Sequence, residues 1–207
     1  DGEVLWEENG IPVTNWSGLL FAPIVLPNLD EHILVCWGDS ITSSNQIIGQ
    51  RLNLNGERLW GEGVEVFTGI SGNALNKQIL SRGNGDLAIV WLDTRFGASG
   101  NFPFLQICRN VENGPEFLLE RQGIPLLPPE VTRGGGRVQA VISSDDAIIV
   151  AWEDRRRDQP RSIYAQKINW EGELLWAEGG VRCADMDYRQ GRPQLCSDGN
   201  GGAIIAY

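Results

Sequence analysis

The most regular feature of the chain is a nearly unbroken apolar run that ends in a large ring, with an acid two positions on. It reads Ile33-Leu-Val-Cys-Trp37-Gly-Asp39, Leu87-Ala-Ile-Val-Trp91-Leu-Asp93 and Ile148-Ile-Val-Ala-Trp152-Glu-Asp154, and returns as Ala203-Ile-Ile-Ala-Tyr207. The rings lie 54, 61 and 55 residues apart. Runs this short and this apolar predict strands buried on both faces. Thirteen residues before three of the rings sits a glutamine, Gln78, Gln139 or Gln194, whereas the first copy has Ile24 there. Turn-forming residues separate each glutamine from its ring: Asn84-Gly-Asp86, Ser144-Asp-Asp146 and Asp198-Gly-Asn-Gly-Gly202.

Two further segments advance in step. One is Asp1-Gly-Glu-Val-Leu-Trp6, Asn55-Gly-Glu-Arg-Leu-Trp60 and Glu171-Gly-Glu-Leu-Leu-Trp176, with a weaker copy at Asn113-Gly-Pro-Glu-Phe-Leu-Leu119. Each leads to a glycine and an apolar pair, as in Gly63-Val-Glu-Val66 and Gly180-Val-Arg-Cys183. The other is Ile47-Ile-Gly-Gln50-Arg-Leu, Phe104-Leu-Gln106-Ile-Cys-Arg and Ile163-Tyr-Ala-Gln166-Lys-Ile. The last copy reads as alternating, with Tyr164, Gln166 and Ile168 on one face and Ala165 and Lys167 on the other. Three registers moving together define an internal repeat. No window sustains a helical apolar period over three turns.

Four short strands per unit of about 55 residues is the arithmetic of a β-propeller blade. A four-stranded sheet with two apolar faces cannot cover both alone, so sheets stack around an axis. The expected fold is therefore all-β, a propeller with about four blades. Complete units are expected at 16–69, 70–127 and 128–184. Residues 185–207 would form an incomplete blade, and 1–15 the outer strand of a split one. Trp37, Trp91, Trp152 and Tyr207 are expected to fill the spaces between blades, and Trp6, Trp60 and Trp176 to cover blade edges. The sequence lacks an initiator Met and starts within a unit, so it reads as a piece of a longer propeller, whose open blade edges would pair with further blades or another copy of the chain.

The segment from Ile148 to Val181 resembles the propeller repeats of large exported and surface proteins of bacteria, with the pattern IIAW-D-R … IYAQ-ld-G-LW--G. That resemblance covers essentially the whole chain. It implies an architecture and an extracellular or cell-surface location, and no shared active site. The Asn55-to-Trp60 type also faintly resembles the Asp-box turn of sialidases, departing from S-x-D-x-G-x-x-W by Asn53 or Asn169 at the acid position.

Charge and composition narrow the partners. The formal net charge is −10, which repels phosphate backbones and argues against nucleic acid. Arg155-Arg156-Arg157 is bracketed by Asp154 and Asp158 and reads as a solvated loop. No apolar stretch of membrane-spanning length exists, and no signal peptide is recognisable at the N-terminus. Cys36, Cys108, Cys183 and Cys196 lack metal-ligand spacing and read as free thiols, with a Cys183–Cys196 disulfide as the alternative.

Asp39, Asp93 and Asp154, followed two residues later by Arg95 and Arg156 in the second and third copies, form either a carboxylate ring on one rim or a repeated brace. Repetition favours the brace, because catalysis needs one asymmetric site. Asp198-Gly-Asn-Gly-Gly202 lacks the further carboxylate of a calcium loop and reads as a turn. Gly134-Gly-Gly136 reads as a flexible loop before a strand. No catalytic residue, cofactor or metal ligand is identifiable, and with one His32 most metal and acid–base chemistry is absent. The first functional reading is a non-catalytic module that presents the loops 39–46, 93–103 and 154–162 to a protein or glycan. The alternatives are a carbohydrate-active hydrolase or lyase using carboxylates, and a structural subunit of a surface layer or fibre.

Overall fold

Each apolar run pairs antiparallel with the strand before it in its unit. The computed structural model describes residues 6–15, 20–27, 31–39, 46–68, 75–96, 101–111, 114–120, 122–128, 130, 132–156, 160–184, 186 and 188–207. The first sheet is the meander β1 (Leu20–Pro27), β2 (Ile33–Asp39), β3 (Gln46–Leu52) and β4 (Val64–Thr68). The second is β5 (Leu75–Ser81), β6 (Leu87–Asp93), β7 (Phe102–Val111) and β8 (Gly114–Phe117), with β9 (Ile124–Pro125) also paired to β7. The third is β10 (Thr132–Ile142), β11 (Ile148–Arg156), β12 (Ser162–Ile168) and β13 (Val181–Arg182). Last comes a two-stranded sheet, β14 (Gln194–Ser197) and β15 (Ala203–Ala206). No α-helix occurs among the described residues. None of their elements is a helix long and apolar enough to cross a membrane.

The sheets stack radially. The first strands touch in succession, β1 on β5, β5 on β10 and β10 on β14, while β4 meets β8 further out. This is the β-propeller arrangement, with first strands innermost. Alternation along the second strand makes it serve two junctions at once. Leu87, Ile89 and Trp91 face the first sheet, in a cluster with Leu34, Cys36, Ile47 and Trp60. Ala88, Val90 and Leu92 face the third sheet, with Val138, Ile148, Val150 and Trp152. Trp37 faces the segment 6–15, whose Trp6, Ile11 and Val13 lean on Val35, Ile48 and Leu52.

Trp37, Trp91 and Trp152 are all buried. Tyr207 lines the space between the third sheet and the last one, with Ala165, Trp176 and Ile205, and is 44% exposed. Trp60 is buried in the junction with the second sheet, and Trp176 packs toward Leu195 and Ile205, so this set fills junctions rather than covering edges.

The third strand alternates between its faces, with Tyr164 and Ile168 toward the second sheet and Ala165 toward the last, and both faces are buried: in β12 only Lys167 is partly exposed. Its glutamines are wholly buried and organise the outer strand. Gln166 Oε1 accepts from the backbone N–H of Lys167 (2.9 Å) and Trp176 (3.1 Å), while its Nε2 donates to Ala177 O (2.9 Å). Gln50 and Gln106 make the equivalent bonds to Trp60 N and Gly61 O, and to Leu119 N and Glu120 O. Asn53 and Asn169 each close the next turn, accepting two backbone N–H bonds. At the turn end, Asp198 Oδ1 accepts from Asn200 N and Gly202 N, which closes that loop on itself. Lys167 Nζ bridges the same turn to its neighbour, at 2.6 Å from both Asp145 Oδ2 and Gly201 O, and holds the Asp145 carboxyl below the usual carboxylate range.

All four cysteines are free, so the Cys183–Cys196 disulfide does not form. Burial pushes the Cys36 thiol up to about 12.

Trp152→Ala should lower stability by about 3–5 kcal/mol, as expected for emptying a packed ring site. Tyr207→Ala should cost about 1 kcal/mol or less, as at most exposed positions. Urea unfolding midpoints compare the two directly, and equal losses would contradict the junction assignment.

Candidate functional site

In an up-and-down meander, the connections between second and third strands lie at the same end as the links between sheets. The hairpin turns around Asn84, Asp145 and Asn200 lie at the other. The loop-bearing end therefore gathers the acids that follow the rings. Asp93 Oδ2 accepts from Trp91 Nε1 (3.0 Å) and Arg95 Nη2 (2.6 Å), and Oδ1 accepts from Arg95 N (2.8 Å). Arg95 continues to Gln122 O (2.9 Å), with its guanidinium 4.1 Å from the Phe104 ring centroid. In the third sheet Asp154 accepts from Trp152 Nε1 (3.3 Å) and Arg156 Nε (3.1 Å), and Arg156 reaches Gly179 O while lying 3.5 Å over Tyr164. The same acid, ring and arginine thus tie the second strand to the outer strand twice, with the acids almost fully buried. The Asp39 side chain lies outside the described part of the structure. Gln78, Gln139 and Gln194 sit on the first strands β5, β10 and β14, opposite Val90, Ala151 and Ala206.

What breaks the repetition is Glu153, where the other copies have Gly38 and Leu92. Its side chain is 5% exposed, and Oε2 accepts from Arg161 Nη1 at 3.0 Å. Oε1 accepts from Arg192 N at 2.8 Å and lies 3.9 Å from Arg137 Nε. The glycine-rich segment exists for this contact. Gly135 and Gly136 pair with Asp154 and Glu153 inside β10, so Gly134-Gly-Gly136 is bulged strand and not a flexible loop. A Cβ on Gly135 would lie 1.6 Å from Glu153 O, and one on Gly136 would lie 2.7 Å from Glu153 Oε2. Bulges of this kind re-aim side chains next to functional sites.

Around Arg161 opens a cavity of about 280 Å³ lined by Arg155, Pro160, Arg161 and Arg189. Arg155 and Arg156 thus belong to the end of β11 with distinct contacts rather than to a solvated loop, and Arg157 lies outside the described residues. Described residues on either side of Arg189 are tied to the third sheet. Gln190 N donates to Arg161 O (2.9 Å), Gln190 Oε1 accepts from Ile163 N (3.1 Å), and Arg182 Nη2 donates to Met186 O (3.0 Å). Tyr188, next to Arg189 in sequence, is 63% exposed. Among the described residues, the loop-bearing end of the second sheet also exposes Phe96, edge-on to Phe102 at 5.0 Å. No group of acids, cysteines and histidine among the described residues is arranged to hold a metal ion.

Chemically, three guanidiniums around one small cavity suit an oxyanion, since the planar fork matches carboxylate geometry. The exposed Tyr188, next to Arg189 in sequence, suits a ligand with an apolar face. The cavity was legible only in part. The missing signal was the single acid, Glu153, at a position occupied by Gly and Leu in its siblings.

No family model and no curated protein matches the sequence. A solved structure of Penicillium chrysogenum alpha-L-arabinanase complexed with arabinobiose is similar in fold, with a TM-score of 0.53 and 13% identity over 90% of this chain. The present chain spans 58% of its length.

If the aspartate–arginine pairs brace the blades, Asp154→Ala should lower stability by about 3 kcal/mol, because it strands a partly buried guanidinium and an indole N–H. Ligand retention per folded molecule should be unchanged. Chemical denaturation together with affinity electrophoresis on polysaccharide gels checks both, and lost retention at unchanged stability would reassign Asp154 to the binding machinery.

Proposed function

We propose that this propeller is a carbohydrate-directed module that holds a glycan on its loop-bearing face, at the cavity lined by Arg161 and Arg189. The observation that carries the reading is a preformed polar cavity, with the exposed Tyr188 next to its Arg189 in sequence, on a chain whose repeated features are used for bracing. Ligand sites of this type combine a few converging polar groups with an apolar surface. The arabinanase likeness supports carbohydrate as the kind of partner. The resemblance to repeats of exported bacterial proteins supports a location outside the cell.

A second reading, a carbohydrate-active hydrolase or lyase, is favoured by the same likeness. It requires two carboxyl groups facing a sugar. Asp93, Asp154 and Glu153, the most buried acids at this end among the described residues, are each engaged by arginine. The binding reading therefore has the closer support from geometry, and the catalytic one from overall shape.

Affinity electrophoresis through gels containing arabinan, pectin or xylan, with a parallel assay for released reducing ends, separates the two. Retardation without release is the expected outcome. Release of reducing ends would establish the catalytic reading instead. Migration unaffected by any polysaccharide would overturn both.

A further inference from the structure

We infer that the open edge of β15 takes an extended peptide segment of a partner as an added strand, one that reads large apolar-x-Gln-x-apolar. The place is the junction between the third sheet and the last one, apart from the cavity at Arg161. Three comparisons within the chain carry it.

The first concerns cover. At the two complete junctions, the outer part of one sheet is covered by the third strand of the next. Trp60 and Val66 share a buried cluster with Phe102, Phe104 and Cys108 of β7. Leu126 and Leu127 share one with Tyr164 and Ile168 of β12. At the third junction the matching residues, Trp176 and Cys183, are only partly buried, and Val181 is 38% exposed. β15 meets them with Ala203, Ile205 and Tyr207, and a cleft of about 400 Å³ remains. The cleft continues an interface that the chain builds twice elsewhere, at the position that β7 and β12 fill there.

The second concerns the edge. β2, β6 and β11 are each paired on both sides, whereas β15 pairs only with β14 among the described residues. Edge strands are normally protected by charge or proline. Ala203-Ile-Ile-Ala206 has neither, and its Ile204 is 61% exposed.

The third concerns register. Phe104 stands opposite Trp91 and Gln106 opposite Ile89; Tyr164 stands opposite Trp152 and Gln166 opposite Val150. In the first sheet Ile48 and Gln50 stand opposite Trp37 and Val35. Continued onto β15, the same register puts a large apolar residue opposite Tyr207, a glutamine opposite Ile205 and an apolar residue opposite Ala203. Sheet edges capture peptides in this way, with main-chain bonds giving affinity and pockets for alternate side chains giving specificity. The segment comes from a partner of that sequence type and not from the described third strands of a second copy, because β3, β7 and β12 are already paired on both sides.

The test adds a labelled synthetic peptide with the sequence of 162–170, Ser-Ile-Tyr-Ala-Gln-Lys-Ile-Asn-Trp, to the whole chain. Fluorescence anisotropy follows binding, and amide exchange locates it. Saturable binding that slows exchange along β15 is the expected result. Affinity should fall about tenfold when the peptide tyrosine is replaced by serine, and by a similar factor in Tyr207→Ala and in Val181→Asp. Both protein variants alter exposed positions, and thermal unfolding confirms that they fold. Equal affinity for a scrambled peptide would overturn the inference, as would no binding at millimolar peptide or slowed exchange that spares β15. Self-association of the chain without peptide, lost in Tyr207→Ala, would give the edge to a second copy and overturn it equally.

Discussion

Everything in this structure depends on how an indole from the second strand of each blade is seated. Trp91 reaches across its own sheet until its ring edge meets the backbone at Gly123, while its face closes the junction with the preceding blade. Trp152 does the same at Gly180, and Trp37 at Gly63. A side chain at Gly123 or Gly180 would occupy the volume of the ring, and one at Gly63 would press on Ile48 first and on the ring at 3.3 Å. The glycine also adopts a positive φ in each case, +70° at Gly123 and +79° at Gly180, which lets the outer strand turn directly over the ring. One contact thereby couples the second strand to the outer strand within a blade, and each blade to its predecessor.

Around that contact the polar groups divide into two classes. The buried glutamines and the Asp–Arg pairs recur and always satisfy the same backbone or indole partners, so they stiffen the blade against loss of its outermost strand. The groups around Glu153 do not recur. A buried carboxylate held by Arg161, the Arg192 backbone and glycines with no room for a Cβ is specific to the third blade. Its carboxylate meets Arg161 and the Arg192 backbone, with Arg137 3.9 Å away. Repetition makes a scaffold, and the departure from it makes a site.

The fold was readable from the sequence because its determinants are local and periodic. The apolar run ending in tryptophan, the turn residues and the 54- to 61-residue spacing each predict the same element at the same place. The glycine triplet is legible only once the fold is in hand. Gly134-Gly-Gly136 looks flexible by composition, and only the pairing of β10 with β11 shows that Glu153 needs the space. The cavity was hidden because Arg155, Arg161 and Arg189 come from two different connections, and nothing periodic brings them together.

The most direct measurement compares two glycine-to-alanine substitutions that share a backbone conformation and differ in what the new methyl meets. Gly123 has φ +70°, and its Cβ would lie 2.3 Å from the Trp91 ring; Gly199 has φ +79°, with nothing within 4 Å. Backbone strain is common to both, so the difference between their unfolding free energies reports the tight space beside the ring, where the new methyl would also lie 2.7 Å from Leu105 O. Gly123→Ala should be the more destabilising by about 2 kcal/mol, in the range of overpacking a close-packed core. Equal losses at the two positions would mean that the seated indole is not what joins the blades.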